Sequence, residues 1–443
     1  MTRDAQGNAL TLDSEAAGRA FDHVIEGFLK YRFDTSLRLK AFLAENPGAP
    51  IGQLMAAAFA LLAYDRRTLP RVQTALDRAA ALPMNPREAA HHAALSAWAA
   101  GRPEEALTRW EAIVADAPRD LLAFRLHHFT AFWMGATDRM LALVSRILPH
   151  WSPDVPGFGS VLACRCFAEE EAGHYITAER AGRAAVALDP ADLWATHGVA
   201  HVLEMQGRRA EGIAWITAQQ AHFDGGNNLM HHIWWHQAMF HIQRGEHDAI
   251  LDLYDTRFRN LASPVTAAVP DLYIDMQNAA SMLFRLELRG VGVGNRWDEL
   301  AEKAAARVGD TLSSFTQPHW MMALAATGRD GAADAMEAAL VEAASAPGTH
   351  ATILREAALP ACRAARAHRA GRHADVLAHL RPALPGLYRL GGSHAQQEVL
   401  ELLFLDSARR VGARADVALA LERAGAHHLA PARRVGFAEA SLT

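Results

Sequence analysis

The apolar and polar positions of this chain read as a succession of amphipathic helices. No segment sustains the apolar–polar alternation of a half-buried strand. Ala and Leu dominate, β-branched residues are thin, and good helix formers fill most windows. The stretches before residue 90 share this pattern. The expected fold class is therefore all-α.

Glycines punctuate the helices at regular intervals. Gly101, Gly135, Gly173, Gly207 and Gly245 are spaced 34, 38, 34 and 38 residues apart. A period of 34 is that of the tetratricopeptide repeat, a pair of antiparallel helices joined by a tight turn. In the Gly173 unit, Gly173, Tyr175, Ala178, Ala185 and Pro190 stand where that repeat expects its turn glycine, aromatic, two small residues and closing proline. The Gly101 unit has Ala106 and Pro118 at the same offsets. Small residues let paired helices approach, and the proline stops the second helix before the next repeat. The extra residues of the longer spacings fit in loops around Trp151–Pro156 and Asp224–Asn228. Gly328 and Gly371 mark further, more divergent pairs, and Gly290-Val-Gly-Val-Gly294 reads as a helix–helix connection because no strand precedes it. This predicts a helical-repeat superhelix in three parts: an N-terminal cap of degenerate repeats (1–90), clear repeats (91–260) and divergent C-terminal repeats (261–443).

Composition narrows the class. A chain of 443 residues, 51% hydrophobic and 21% charged, has the make-up of a well-packed globular protein. A net charge of −5 with no basic stripe argues against a nucleic-acid partner. Cys164, Cys166 and Cys362 are too few for a disulfide framework. The polar N-terminus lacks the apolar core of a signal peptide, and the longest apolar run, Leu54–Tyr64, is far short of a membrane span. A cytoplasmic protein with reduced thiols is expected, not a membrane one.

Histidine is the outlier. Of 23 histidines, 12 lie between His127 and His247. His197 and His201 are four residues apart, as are His232 and His236, so each pair stacks on one helix face. In this repeat the first helix of each pair lines the concave groove. Counted back from the turn glycine, groove positions fall about thirteen, ten, nine, six and three residues before it. His197, His201 and Glu204 stand ten, six and three before Gly207, His232 and His236 thirteen and nine before Gly245, and His319 nine before Gly328. His128 stands at a packing position seven before Gly135, and Asp275 falls where the register is weaker. Two histidine pairs on adjacent first helices, ~8–10 Å apart, face one groove.

Imidazoles with a carboxylate point to three kinds of chemistry. His197, His201, His232 and His236 could ligate a divalent transition metal such as zinc, iron or manganese. They could instead act as metal-free acid/base or ligand-binding groups, or form a polar structural network. Neither pair is His-Glu-x-x-His, which sets the zincin reading aside.

The chain also resembles the tetratricopeptide repeat protein 38 family over roughly residues 15 to 425. The likeness is carried by Trp151-Ser-Pro-Asp-Val-Pro156, Thr196-His-Gly-Val-Ala-His-Val-Leu-Glu-Met205, His232-x-x-Trp235-His236, Leu253-Tyr-Asp-Thr256, Ser281–Leu286 with Gly290–Trp297, and Leu390–Gln396. It implies family histidines at His128, His197, His201, His232, His236 and His319, with acidic residues at Glu204 and Asp275. It implies that His127, His231, His241 and His394 are replaceable, and it brings no reaction with it.

Two functions follow as expectations. In the first the protein is an enzyme acting on a small metabolite, with His197, His201, His232 and His236 as metal ligands and Glu204, His128, Asp275 and His319 as catalytic groups. In the second the groove docks an extended peptide. That normally calls for Lys, Arg and Asn at inward positions, where this chain has His, Trp and Glu.

Overall fold

The computed structural model describes residues 2–427 and 434–440. Among them are 24 α-helices and one short antiparallel ladder, Thr2–Arg3 with Ala9–Leu10, a minor departure from the all-α expectation. None of the described helices is long and apolar enough to cross a membrane.

The repeat punctuation has a backbone cause. Gly101, Gly135, Gly173, Gly207, Gly245, Gly328 and Gly371 all adopt left-handed φ values between 64° and 79°. The residue after each glycine donates its N–H to a carbonyl five residues earlier, as Arg208 does to Leu203 and Arg372 to Ala367. This closure satisfies the last carbonyls of the first helix and turns the chain into the second. Gly290 and Gly412 close their helices identically, through Val291 to Leu286 and Ala413 to Ala408. The two longer spacings are absorbed at the expected loops, each introduced by a short 3-10 turn, Leu148–His150 and Gln220–His222.

The chain forms two compact units, Met1–Val199 with Ala221–Leu229, and Ala200–Gln220 with Met230–Thr443. In the first unit Pro86–Ala99 packs on Pro103–Asp116, and Phe158–Glu171 on Tyr175–Leu188. The stretch before residue 90 is helical as expected, with helices Glu15–Leu29, Thr35–Glu45, Pro50–Leu62 and Leu69–Ala80. Cys164 and Cys166 are buried free thiols on Phe158–Glu171, consistent with small helix-packing residues. In the second unit Thr316–Ala326 packs on Leu359–Arg369, with Trp235, Trp320, Phe240 and Phe404 in the core. The helix Leu193–Met205 runs unbroken through the boundary at Val199 and Ala200.

Candidate metal centre

Helix Leu193–Met205 carries His197, His201 and Glu204, and helix Leu229–Ile242 carries His231, His232, Trp235 and His236. Within the second unit the ring centroids of His201 and His236 are 4.3 Å apart, those of His232 and His236 4.8 Å, and those of His201 and His232 6.4 Å. The three form a group, each offering a ring nitrogen within 4.8 Å of the others, and His197 stands one turn before His201 on the same helix, at the end of the first unit. All four are 0–2% exposed. The register expectation of an open groove is corrected here: these inward positions are core positions.

Burial sets the charge of the rings. It pushes His201 and His232 down to about 3 and His236 well below the usual imidazole range, and neighbouring histidines add to the effect on His232 and His236. All three are neutral at physiological pH, the form in which imidazole donates a lone pair. His232 is further defined by its partners. Its Nδ1 lies 2.8 Å from Asn278 Oδ1, an acceptor, so Nδ1 carries the proton and Nε2 the lone pair. Trp235 stacks almost parallel on the same ring at 5.2 Å and fixes its plane. One residue earlier, His231 Nδ1 donates to Asp275 Oδ2 at 3.2 Å. Asp275 and Asn278 are three residues apart on helix Tyr273–Glu287, so one face of that helix addresses two successive histidines.

Glu204 is held rather than presented. Arg434 donates from Nη2 to Glu204 Oε1 at 3.0 Å and from Nε to Glu398 Oε1 at 2.8 Å, and Arg285 stands 3.5 Å from Glu398. Burial raises the Glu204 carboxyl, Arg434 counteracts it, and Glu398 adds to the rise. His319 donates Nδ1–H to the Phe315 carbonyl at 2.8 Å, which leaves its lone pair on Nε2, and burial pushes the ring down to about 4. His128 lies in the first unit against Phe124, Phe129, Phe167 and Trp194. Among the described residues neither of its nitrogens has a hydrogen-bond partner.

Sequence reasoning missed four contributors. The family resemblance marks His231 as replaceable, and the structure makes it a hydrogen-bond partner of Asp275. Asn278 shares a helix face with Asp275 three residues earlier, but nothing in the sequence marks its amide as a partner of His232. Glu398 and Arg434 carried no sequence signal.

No family model matches the chain. Among solved structures it is similar to a human IFIT1 dimer with m7Gppp-AAAA, at 12% identity and a TM-score of 0.42, covering 98% of this chain and 94% of that one. It is likewise similar to a human IFIT1 dimer with PPP-AAAA, at 13% identity and a TM-score of 0.41, with 98% and 95% covered. The P58(IPK) TPR domain matches at 10% identity and a TM-score of 0.18, with 90% and 98% covered. Likenesses this remote concern the fold alone. The regularly spaced glycine closures between its helices make this an all-helical repeat protein of tetratricopeptide-like pattern, and it carries a buried histidine cluster.

Proposed function

We propose that this protein is a metal-dependent enzyme acting on a small polar metabolite, with His197, His201, His232 and His236 holding a divalent transition metal. The observation that supports it most is the gathering of buried, neutral imidazoles, with the His232 tautomer set by Asn278. Three or four imidazoles suit zinc, and a histidine-rich set with a carboxylate also suits iron or manganese. Such an ion would supply a Lewis acid or an activated water. His319, with its lone pair on Nε2, serves as the base. Asp275 and Asn278 position the histidine helix, and Glu204, fixed by Arg434, orients the site. His128 takes a packing role in this reading, because it is buried against Phe124, Phe129, Phe167 and Trp194. The same burial counts against peptide docking on these residues: a local opening of the helices admits a small ligand more readily than an extended chain. The resemblance to the tetratricopeptide repeat protein 38 family belongs with this reading, since it marks the same histidines.

Elemental analysis of protein purified without a histidine tag tests the metal. We expect a near-stoichiometric transition metal in the wild type and its loss in a His201→Ala, His236→Ala double variant. A metal-free wild type, with the double variant equally stable, would remove the centre. The catalytic half is tested by incubating the metal-loaded protein with a metabolite extract and following it by mass spectrometry. Conversion by the wild type alone supports it, and metal retention without any conversion overturns it.

A further inference from the structure

A second cluster, far simpler in its surroundings, lies at the Gly371 turn in the second unit. His368 is in the last turn of helix Leu359–Arg369, and His373 is the first residue of helix His373–Ala383. The left-handed Gly371 (φ 70°) folds these two ends back on each other, so their ring centroids come within 5.2 Å. Helix His394–Arg410 adds Asp406, whose Oδ2 is 2.7 Å from His368 Nε2. His368, His373 and Asp406 each offer one donor atom, all within 4.8 Å of one another. Phe284 packs edge-on against His368 at 5.2 Å and backs the ring.

An ordinary histidine–aspartate ion pair needs only His368 and Asp406. It leaves unexplained why a second imidazole is folded beside the first, where two protonated rings and Arg410 would repel one another. The hydrogen-bond partner of His373 is the Ser407 hydroxyl at 3.2 Å, which a neutral ring satisfies as well as a charged one. Unlike the buried group, these side chains are partly open: His368 is 13% and Asp406 20% exposed. We propose that His368, His373 and Asp406 form a second, solvent-exchangeable site for a divalent transition ion such as zinc. Two imidazoles and one carboxylate are a familiar donor set for such an ion, with water filling the remaining positions. Arg410 competes for the carboxylate, since its Nε donates to Asp406 Oδ2 at 2.7 Å. Its side chain is 53% exposed, so it can swing away when an ion arrives.

The proposal stands apart from the buried centre, and its test is a difference between variants that leave that centre intact. Zinc binding to the full chain is measured by equilibrium dialysis for the wild type, His373→Ala, Asp406→Asn and Arg410→Ala. The thermal midpoint of each is taken in chelator to verify folding. We expect His373→Ala and Asp406→Asn to weaken one zinc equivalent at least tenfold. Arg410→Ala should tighten it, which a purely structural ion pair has no reason to do. Asp406→Asn preserves side-chain shape and decides the matter if His373→Ala folds poorly. Equal stoichiometry and affinity in all four proteins would overturn the site.

Discussion

Asn278 decides which nitrogen of His232 carries the lone pair. Its amide oxygen takes the Nδ1 proton at 2.8 Å, and Trp235 holds the ring plane, so His232 is aimed before any ligand arrives. Partners of this kind typically contribute 10- to 100-fold to metal affinity, roughly, without touching the ion. Asn278→Ala is therefore expected to weaken metal binding by about that factor while retaining the helical circular dichroism of the wild type. Competition against a chromophoric chelator measures it, and an unchanged affinity would sink the assignment of Asn278 as a positioning residue. At this scale the histidines were legible because they are clustered, titratable and regularly spaced. Asn278 was not, because an asparagine on a helix gives no sign of what its amide faces.

Two glycines show how elements were legible in one case and not in another. Gly207 ends helix Leu193–Met205 with φ 67°, and a Cβ there would meet nothing within 4 Å. Its conformation is the only requirement, and that requirement repeats at Gly101, Gly135, Gly173 and Gly245, which is why the period could be read directly. Gly212 sits inside helix Arg209–Gln219, where a Cβ would collide with the buried Phe240 ring. Phe240 is on Leu229–Ile242, so this glycine sets how closely the helix of His232 and His236 is approached. Nothing local in the sequence distinguishes it from any other helical glycine. Gly207→Ala should cost about 1–2 kcal/mol from left-handed strain alone and leave metal affinity unchanged. Gly212→Ala should cost about 1–3 kcal/mol by overpacking and also weaken the metal, because Phe240 moves together with its helix. Urea unfolding alongside the chelator competition separates the two. Equal effects on affinity would mean that helix spacing does not tune the site.

Across the whole chain, the site depends on contacts that no local pattern encodes. Arg434 reaches Glu204 over a sequence separation of 230 residues and joins it to Glu398. Repeat register could place Glu204 on an inward face, because that is a property of one helix. It could not show that the position would be sealed by an arginine near the other end of the chain, and for that reason an open groove was expected where the structure has a core. The buried carboxylates make this arginine costly to remove. Arg434→Ala leaves Glu204 and Glu398 without their shared cation, at an expected cost of about 3–5 kcal/mol near neutral pH. The pH dependence identifies the cause. The Glu204 carboxyl already lies above its ordinary 4.5, through burial that Arg434 partly offsets, and removing Arg434 lifts it further. A carboxyl raised in the folded state holds a proton that the unfolded chain has released. Stability is then greatest below about 4.5 and falls as pH rises through the folded value. The deficit of Arg434→Ala relative to the wild type should accordingly be smaller at pH 5 than at pH 8, read from urea midpoints at the two values. A deficit that is constant, or larger in acid, would mean that Arg434 acts through packing and not by compensating the buried carboxylates.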